Sequence, residues 1–370
     1  MAGMSNTSLV DEAAAGRAWK SDYVRRRPYS HLNAGQFSLT HMLAIVCVMF
    51  VCPAYSSELR EQCTEAEIRG IAFLAANQKE SGGFTSYEWR TAMPDNKRKI
   101  GTPFTVSQVV YSLTFCNDNS TGRAVRERAA GWLASQREEP GLWRYRGQAD
   151  LLPFDADDTA MAWAALQREG QPIPREALDA LRADRNEAGL FNTWMGDPST
   201  FRTNVDSRDP DAVVNLNALL MFGLVHENFD AVCTYLLTNI ESDQFHRGSI
   251  YYPSQWAFTY AFSRAYAEGG VSCLKNAVPK IRGLTLSLQQ ADGGWGNDYE
   301  TALGLLTLFN LGEKSAAVER ALRFIVARQM PDGGWALEPA YTGADRSWSY
   351  GSRATTTALC VEALAKFLHQ

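Results

Sequence analysis

A helix-loop-helix unit recurs six times between residue 58 and the end of the chain. Four copies carry a Gln near the end of the first helix, followed by a glycine and an aromatic residue in the turn. The aromatic turn residues of these copies are Phe84, Trp143, Trp295 and Trp335. The two other copies, 177–191 and 230–250, keep the spacing but lack the Gln. Such internal repetition predicts units that pack against their neighbours in a repeat architecture.

The second helix of each unit is apolar on nearly every side, whereas the first carries charge on one side. A helix that is hydrophobic all round is buried, and an amphipathic helix faces solvent with its polar side. The apolar helices are expected at 104–115, 159–166, 213–225, 256–266, 301–311 and 355–367. Six outer helices around six inner ones form an (α/α)6 barrel. We therefore predict an all-α fold with one barrel domain over residues 58–370.

An N-terminal extension, 1–57, precedes this barrel and contains one apolar run, 42–52. The run is shorter than the roughly 17 to 25 residues of a membrane-spanning helix. Three arginines before it and small residues after it are typical of a signal peptide, although the run begins far from Met1. A helix lying on the barrel or in a membrane interface is the alternative, so peripheral membrane contact stays open.

Charge and composition limit the partners and the kind of chain. The formal net charge is −5, which offers no overall attraction to nucleic acid, so no nucleic-acid partner is expected. Hydrophobic residues make up 45% of the chain and charged residues 21%. This composition supplies a large core and excludes disorder for most of the chain.

Seven cysteines are present, and four of them lie where an outer helix begins near the end of its inner partner. Disulfides Cys63–Cys116 and Cys233–Cys273 are therefore plausible, and they would agree with export. Buried free thiols in a cytoplasmic protein are the alternative, so the localisation stays open. No Cys or His cluster has metal-ligand spacing, and we expect no metal site.

Three carboxyl groups, Asp155, Asp157 and Asp158, stand directly before the second inner helix. A helix N-cap with an acidic first turn is the structural interpretation of this pattern. At about 100° per residue, Asp157 lies about 200° around the helix from Asp155, so it can face the barrel mouth while Asp155 caps. Crowding in a dry pocket raises carboxyl pKa values. The functional interpretation is thus a neutral acid at pH 7.

Aromatic residues gather where the inner helices are expected to begin. Core packing explains many such residues, whereas a wall of aromatic faces that stabilises a carbocation is the functional alternative. The mouth candidates are Phe104, Trp194, Tyr251, Tyr252, Trp256, Tyr260, Tyr299, Trp348 and Tyr350. An acid beside an apolar aromatic cavity suggests protonation of an alkene.

The sequence DADDTA at 155–160 resembles the DxDDTA motif of class II terpene cyclases, and the Gln and Gly-x-Trp repeats are similar to the QW motifs of squalene-hopene and oxidosqualene cyclases. The resemblance covers 58–370. It implies an isomerase- or lyase-type enzyme in which Asp157 protonates a terminal alkene or epoxide of an isoprenoid, tuned by Asp155 and Asp158. The implied acid step needs no cofactor, and Mg²⁺ would be required only for a diphosphate substrate. The repeats are implied to be structural.

Two features depart from the familiar pattern. In squalene-hopene cyclases a DxxxH segment on the next inner helix supplies a histidine that binds the acid, whereas here the segment starts with Asp211 and ends in Asn215. The second barrel of those enzymes is also missing, which resembles single-barrel cyclases of the merosterolic acid synthase type. The predicted substrate-binding residues are Trp163, Trp194, Asp211, Tyr252, Trp256, Tyr260, Tyr299, Trp348 and Tyr350, and Asn215 joins the three aspartates as catalytic.

Other functions remain compatible with a helical barrel. An exported barrel that binds a lipid or glycan without catalysis, or a carbohydrate-processing barrel with two carboxylates, is the main alternative. A zinc prenyltransferase-like subunit would require an Asp, Cys and His zinc set at the mouth. No Cys in the chain precedes an inner helix with such partners.

Overall fold

The computed structural model describes residues 56–116, 119–148, 151–201 and 210–369. These residues belong to one compact unit. The apolar run 42–52 and nearly all of the predicted extension lie outside the described residues, so the domain boundary stays a prediction. Within the described ranges, no helix is long and apolar enough to cross a membrane.

Twelve α-helices in the described part of the chain alternate between an outer and an inner layer. The outer helices are α1 (Ser57–Asn77), α3 (Ser120–Ser135), α5 (Arg175–Ala183), α7 (Asp230–Glu241), α9 (Val278–Ser287) and α11 (Ala316–Arg328). The inner helices are α2 (Pro103–Leu113), α4 (Ala156–Arg168), α6 (Ala212–Gly223), α8 (Gln255–Ala267), α10 (Asp298–Asn310) and α12 (Arg353–Leu368). Nearly every residue of the inner helices is buried, whereas the outer helices bury one side.

The inner helices form a closed ring. Each packs against the next one in sequence, and α12 packs against α2. The outer helices surround the ring, and α1 contacts α3, α11 and α12. The predicted (α/α)6 barrel is therefore confirmed. Each inner helix follows the outer helix of its own repeat along the chain. The N-terminal ends of the inner helices therefore lie at the same end of the barrel, which we call the mouth.

Short antiparallel strands lie at the mouth. A four-stranded sheet has the order β2-β1-β6-β5, and a two-stranded sheet pairs β3 with β4. Asp155 of β3 stands opposite Trp194 of β4. The strands are β1 (Ser86–Arg90), β2 (Arg98–Ile100), β3 (Phe154–Asp155), β4 (Trp194–Met195), β5 (Tyr341–Thr342) and β6 (Trp348–Gly351). Because β1 precedes α2 and β6 precedes α12, the larger sheet joins the first repeat to the last.

Three of the repeated glutamines connect neighbouring outer helices. Each Nε2 donates to the carbonyl of the turn glycine four residues later and to a second carbonyl on the next outer helix. Gln329 makes its second bond to the Ala66 carbonyl of α1 at 2.8 Å, which closes the outer layer. Gln136 differs, because its Nε2 donates only to the neighbouring Ser135 hydroxyl at 3.3 Å. The other two glutamines that connect outer helices are Gln78, which donates to the Val125 carbonyl, and Gln289, which donates to the Ala317 carbonyl.

The aromatic turn residues anchor each turn to its own outer helix. Trp143, Trp295 and Trp335 are buried, and each indole Nε1 donates to the carbonyl ten residues earlier at 2.7 to 2.9 Å. A buried indole N–H requires such a partner. The repeated pattern in the sequence therefore encodes the contacts that hold the outer layer on the ring.

The predicted disulfides have opposite outcomes. Cys233 and Cys273 form a disulfide with a Cα–Cα distance of 6.1 Å, as expected. The predicted Cys63–Cys116 bond is wrong, because both are buried free thiols. Burial raises the pKa of Cys63 to about 12. Burial also raises the pKa of Cys116, whose thiol is hydrogen-bonded to the Glu67 carboxyl instead of a second sulfur.

Replacing Gln329 with Leu tests the closure of the outer layer. The change removes the two hydrogen bonds that Gln329 donates to the Ala66 and Gly333 carbonyls, so we expect the free energy of unfolding to fall by about 1 to 3 kcal/mol in chemical denaturation followed by circular dichroism. Gln136→Leu is the matched control and is expected to stay within about 0.5 kcal/mol of wild type. Equal losses in both variants would show that the cross-helix bond is not the stabilising contact.

Candidate active site

The three aspartates form one buried cluster at the start of α4. Asp155 caps the helix, because its Oδ1 accepts from the backbone N–H groups of Asp157 at 2.7 Å and Asp158 at 3.2 Å. Its own N–H donates to the Trp143 carbonyl at 2.9 Å. All three residues are at most 6% exposed. Asp155 is therefore the N-cap that the sequence predicted. The carboxyl groups of Asp157 and Asp158 do not cap the helix.

Asp157 is bound by two side chains from neighbouring inner elements. The Asn217 amide Nδ2 donates to Asp157 Oδ1 at 2.7 Å, and the Tyr252 hydroxyl donates to Oδ2. Asn217 lies on α6, and Tyr252 lies in the loop before α8. Both of these side chains line the central cavity. Asp157 is therefore linked to the cavity through its two hydrogen-bond partners.

The pKa values of all three aspartates are raised above their usual range. Burial raises the pKa of Asp155 to about 8, and the charge of Asp157 adds to the shift. Burial and the charges of Asp155 and Asp157 raise the pKa of Asp158 well above its usual range. Burial also raises the pKa of Asp157, to about 6, against the opposing effect of the bonds from Tyr252 and Asn217. Mutual repulsion and desolvation thus keep the three groups from ionising together.

A buried arginine stands behind Asn217. Arg264 of α8 is 3% exposed, and its Nη2 donates to Asn217 Oδ1 at 2.7 Å and to Met161 Sδ at 3.1 Å. Its guanidinium lies over the Tyr260 ring, 4.6 Å from the centroid. The chain of contacts from Arg264 through Asn217 to Asp157 places a positive charge near the cluster, and this charge lowers the pKa of Asp157.

The central cavity below the cluster is lined mostly by apolar and aromatic side chains, and the buried guanidinium of Arg264 lines it as well. Its free volume is about 30 Å³, enough for one or two water molecules. A molecule larger than that enters only when the surrounding side chains rearrange. The aromatic side chains of the lining are Phe104, Tyr252, Tyr260, Tyr299 and Tyr341.

Three of the predicted substrate-binding residues line this cavity, namely Tyr252, Tyr260 and Tyr299. Two others lie behind the inner ring. The Trp163 indole donates to the Gly141 carbonyl at 2.8 Å, between α4 and the turn before it. Trp256 packs against Trp295 of an outer turn, with the ring centroids 6.0 Å apart. These two tryptophans therefore pack the wall rather than the cavity.

The three predicted residues at the strands lie around the mouth. The Trp194 indole donates to the Tyr251 hydroxyl at 2.7 Å. Trp348 is half-buried beneath the guanidinium of Arg90, 4.7 Å from the ring centroid. Tyr350 stacks on the cavity residue Tyr341, with centroids 6.1 Å apart. These three side chains are not part of the cavity lining.

Asn215, expected beside the acid, does not contact Asp157 in the described structure. Its amide exchanges two hydrogen bonds with the backbone of Phe191, at 3.0 and 3.1 Å. Asp211 caps α6 and accepts from the Tyr251 N–H at 2.9 Å. Asn217 lies about 200° around the helix from Asn215 and takes the inner position. The sequence feature that indicates this role is the presence of Asn217 as a second Asn in an otherwise apolar helix.

In the described ranges, no group of three or more His, Cys, Asp or Glu residues is arranged to hold a metal ion. No protein-family model matches the chain.

A sequence relative and two solved structures match the chain. A squalene–hopene cyclase from Zymomonas mobilis is 25% identical over 252 residues, which cover 55% of this chain and 37% of that protein. The type II terpene cyclase MstE from Scytonema, solved with geranylgeranyl dihydroxybenzoate, has a TM-score of 0.65 at 16% identity, covering 85% of this chain and 99% of MstE. A possible GH105 family member from Salmonella enterica has a TM-score of 0.57 at 14% identity, covering 84% of this chain and 94% of that one.

The chain spans little more than a third of the cyclase that it matches in sequence. At 14 to 16% identity, the likeness to solved structures establishes the fold. The same fold carries different chemistries, so the site has to distinguish between them. In sequence the chain is similar to part of a squalene–hopene cyclase, and in fold it is similar to the type II terpene cyclase MstE.

Proposed function

We propose that the protein is a class II terpene or meroterpenoid cyclase, in which Asp157 protonates a terminal alkene or epoxide of a polyprenyl substrate. The observation that carries the proposal is the buried aspartate cluster, in which all three pKa values are raised and Asp157 is hydrogen-bonded to Asn217 and Tyr252, two residues that line the cavity. Solvated carboxyl groups are ionised at pH 7 and do not serve as acids. Such an acid therefore requires a buried site of this kind.

Proton transfer from Asp157 to the alkene breaks one bond and forms another. The O–H bond of Asp157 breaks, a C–H bond forms at the terminal alkene carbon, and the positive charge passes to the neighbouring carbon. Successive alkenes of the substrate then attack this cation and close rings. Both oxygens of Asp157 are already hydrogen-bonded. The substrate must therefore displace one contact, and Tyr252, which lines the cavity, is the partner that it meets.

The contacts of Asp157 favour the transfer once it begins. The carboxylate that forms accepts from Asn217 and Tyr252, and Arg264 stands behind Asn217 with its charge. Donors that are fixed before the reaction stabilise developing charge without reorganisation. Asp155 caps the helix and keeps Asp157 oriented. The cluster thus holds a proton in the resting state and stabilises the anion left after its transfer.

The aromatic lining provides the environment for a cation. A desolvated aromatic face stabilises a cation by about 0.5 to 2 kcal/mol, and five aromatic side chains border the cavity. MstE was solved with geranylgeranyl dihydroxybenzoate as substrate and with merosterolic acid A as product. A prenylated aromatic acid or a related polyprenyl compound is therefore the substrate class that we propose. The acid step requires no metal, and Mg²⁺ would serve only a diphosphate head group.

Asp157→Asn tests the acid directly. The substitution removes the acidic proton but keeps the shape of the side chain, so we expect product formation to fall at least about 100-fold. The substrates are geranylgeranylated dihydroxybenzoate, farnesyl and geranylgeranyl diphosphates and squalene, with product analysis by mass spectrometry. Asp184→Asn is the matched control, because burial raises the pKa of Asp184 to about 6 outside the cavity.

The control should keep activity within about threefold of wild type. An Asp157→Asn variant that cyclises normally would contradict the acid. If wild type converts none of the isoprenoids but cleaves an oligosaccharide, the carbohydrate-processing alternative is correct.

The raised pKa values predict the pH dependence of turnover. The protonated cluster is the active form, and the relevant pKa values are about 6 for Asp157 and about 8 for Asp155. Turnover should therefore be highest below pH 6 and should fall as the pH rises through 6 to 8. Initial rates across pH 5 to 9, with folding checked by circular dichroism, measure this. A rate that increases over the same interval would contradict an acid mechanism.

A pair of asparagine variants distinguishes the two residues on α6. Asn217→Ala removes a donor to the Asp157 carboxylate, so we expect the pKa of the acid, and with it the pH midpoint of turnover, to rise. Asn215→Ala removes bonds to the Phe191 backbone, so it should lower stability and leave the midpoint unchanged. The pH–rate profiles of both variants provide the comparison. A midpoint that moves only in Asn215→Ala would assign the role to that residue.

A further inference from the structure

One buried carboxyl group in the ring takes no part in the acid cluster. Glu362 of α12 is 0% exposed. It accepts hydrogen bonds from the Tyr260 hydroxyl at 3.0 Å and from the Ser112 hydroxyl at 2.8 Å. Lys366 Nζ lies 3.4 Å from Glu362 Oε1 in an ion pair. Two residues of the cavity lining lead to this carboxyl group: Tyr260 directly, and Gln108 through the Ser112 hydroxyl at 3.0 Å.

Tyr260 connects Glu362 to the cavity. Its ring lines the cavity, and its hydroxyl donates to both oxygens of Glu362. Glu362 lies nine residues into α12, which is about 13 Å from the mouth end of that helix at about 1.5 Å per residue. Asp157 lies at the first turn of α4, so the acid and this pair occupy different depths of the barrel. Tyr260 and Tyr252, the partner of Asp157, line the same cavity, so a cation formed in that cavity borders the Tyr260 side chain.

We propose that Tyr260 and Glu362 form the base that ends the cascade, on the premise that the protein is the cyclase proposed above. In the final cation, a C–H bond next to the charged carbon breaks, and its electron pair forms a C=C bond. The proton moves to the Tyr260 oxygen while the Tyr260 proton moves to Glu362. The product is a neutral alkene, and Glu362 is left protonated.

The charge near Tyr260 favours this step. The guanidinium of Arg264 lies over the Tyr260 ring at 4.6 Å from its centroid. A fixed positive charge repels a carbocation in a site of low dielectric constant. The cation next to Tyr260 therefore lowers its free energy by losing a proton. Arg264 thus disfavours a long-lived cation at the depth where the base stands.

A polar route leads from Glu362 to the opposite end of the barrel. Lys366 contacts both Glu362 and Glu268, the latter at 2.6 Å. Glu268 lines a pocket of about 320 Å³ beside the C-terminal ends of α6 and α8. Along this route Lys366 gives one ammonium proton to Glu268 and then takes up the proton that Glu362 holds, so Glu362 is reset from the side away from the mouth.

Tyr260→Phe and Glu362→Gln test the pair by the products that form. Removal of the base should let water or other C–H bonds end the cascade, so the ratio of hydroxylated or isomeric alkene products to the wild-type product should rise about tenfold. The assay uses the same isoprenoid substrates, with products identified by mass spectrometry and NMR. Tyr266→Phe, on the same helix and outside the cavity lining, should give the wild-type ratio.

The outcomes separate this proposal from the one on which it rests. Failure of wild type to cyclise any of the substrates overturns both. Cyclisation by wild type together with wild-type product ratios in Tyr260→Phe overturns the terminating base alone. Glu362→Gln alters a buried ion pair and is interpreted only if its circular dichroism matches wild type. Tyr260→Phe keeps the ring in place and by itself decides the result.

Discussion

The burial of three adjacent carboxyl groups at the first turn of an inner helix is the constraint on which the site depends. The helix N-terminus and the cap made by Asp155 favour negative charge there. Removal from water and mutual repulsion oppose it, and they raise the pKa values of all three groups. Desolvation and repulsion outweigh the cap, and Asp157 is the member bound to two residues of the cavity lining.

The closed ring makes this cluster possible. Asp157, Asn217 and Tyr252 come from three different parts of the chain, and the packing of α4, α6 and α8 brings them together. The outer layer holds the ring through bonds that repeat along the sequence, and Gln329 joins its end to its beginning. Loosening that layer would move the acid relative to its partners. The repeats thus support the chemistry because they hold Asp157 in place relative to its hydrogen-bond partners.

The repeats and the cluster could be predicted from the sequence because both depend on local periodicity. The contacts of the cluster could not, since they depend on which side of an inner helix faces inward. Asn215 and Asn217 are two residues apart, and only the packed ring shows that Asn217 faces Asp157. Trp163 and Trp256 likewise pack outward. An aromatic residue on a helix buried on all sides carries no sequence signal for its direction.

The transfer of a proton to an alkene carbon is the central claim, and turnover in D₂O measures it most directly. A solvent-equilibrated acid places one deuterium on the carbon that was the terminal alkene position, and NMR of the purified product locates it. We expect one deuterium at that carbon when the wild-type protein cyclises a substrate that ends in an alkene. For a substrate that ends in an alkene rather than an epoxide, a cyclised product without deuterium at that carbon would contradict the claim, because the ring closure would then have begun without protonation of the alkene.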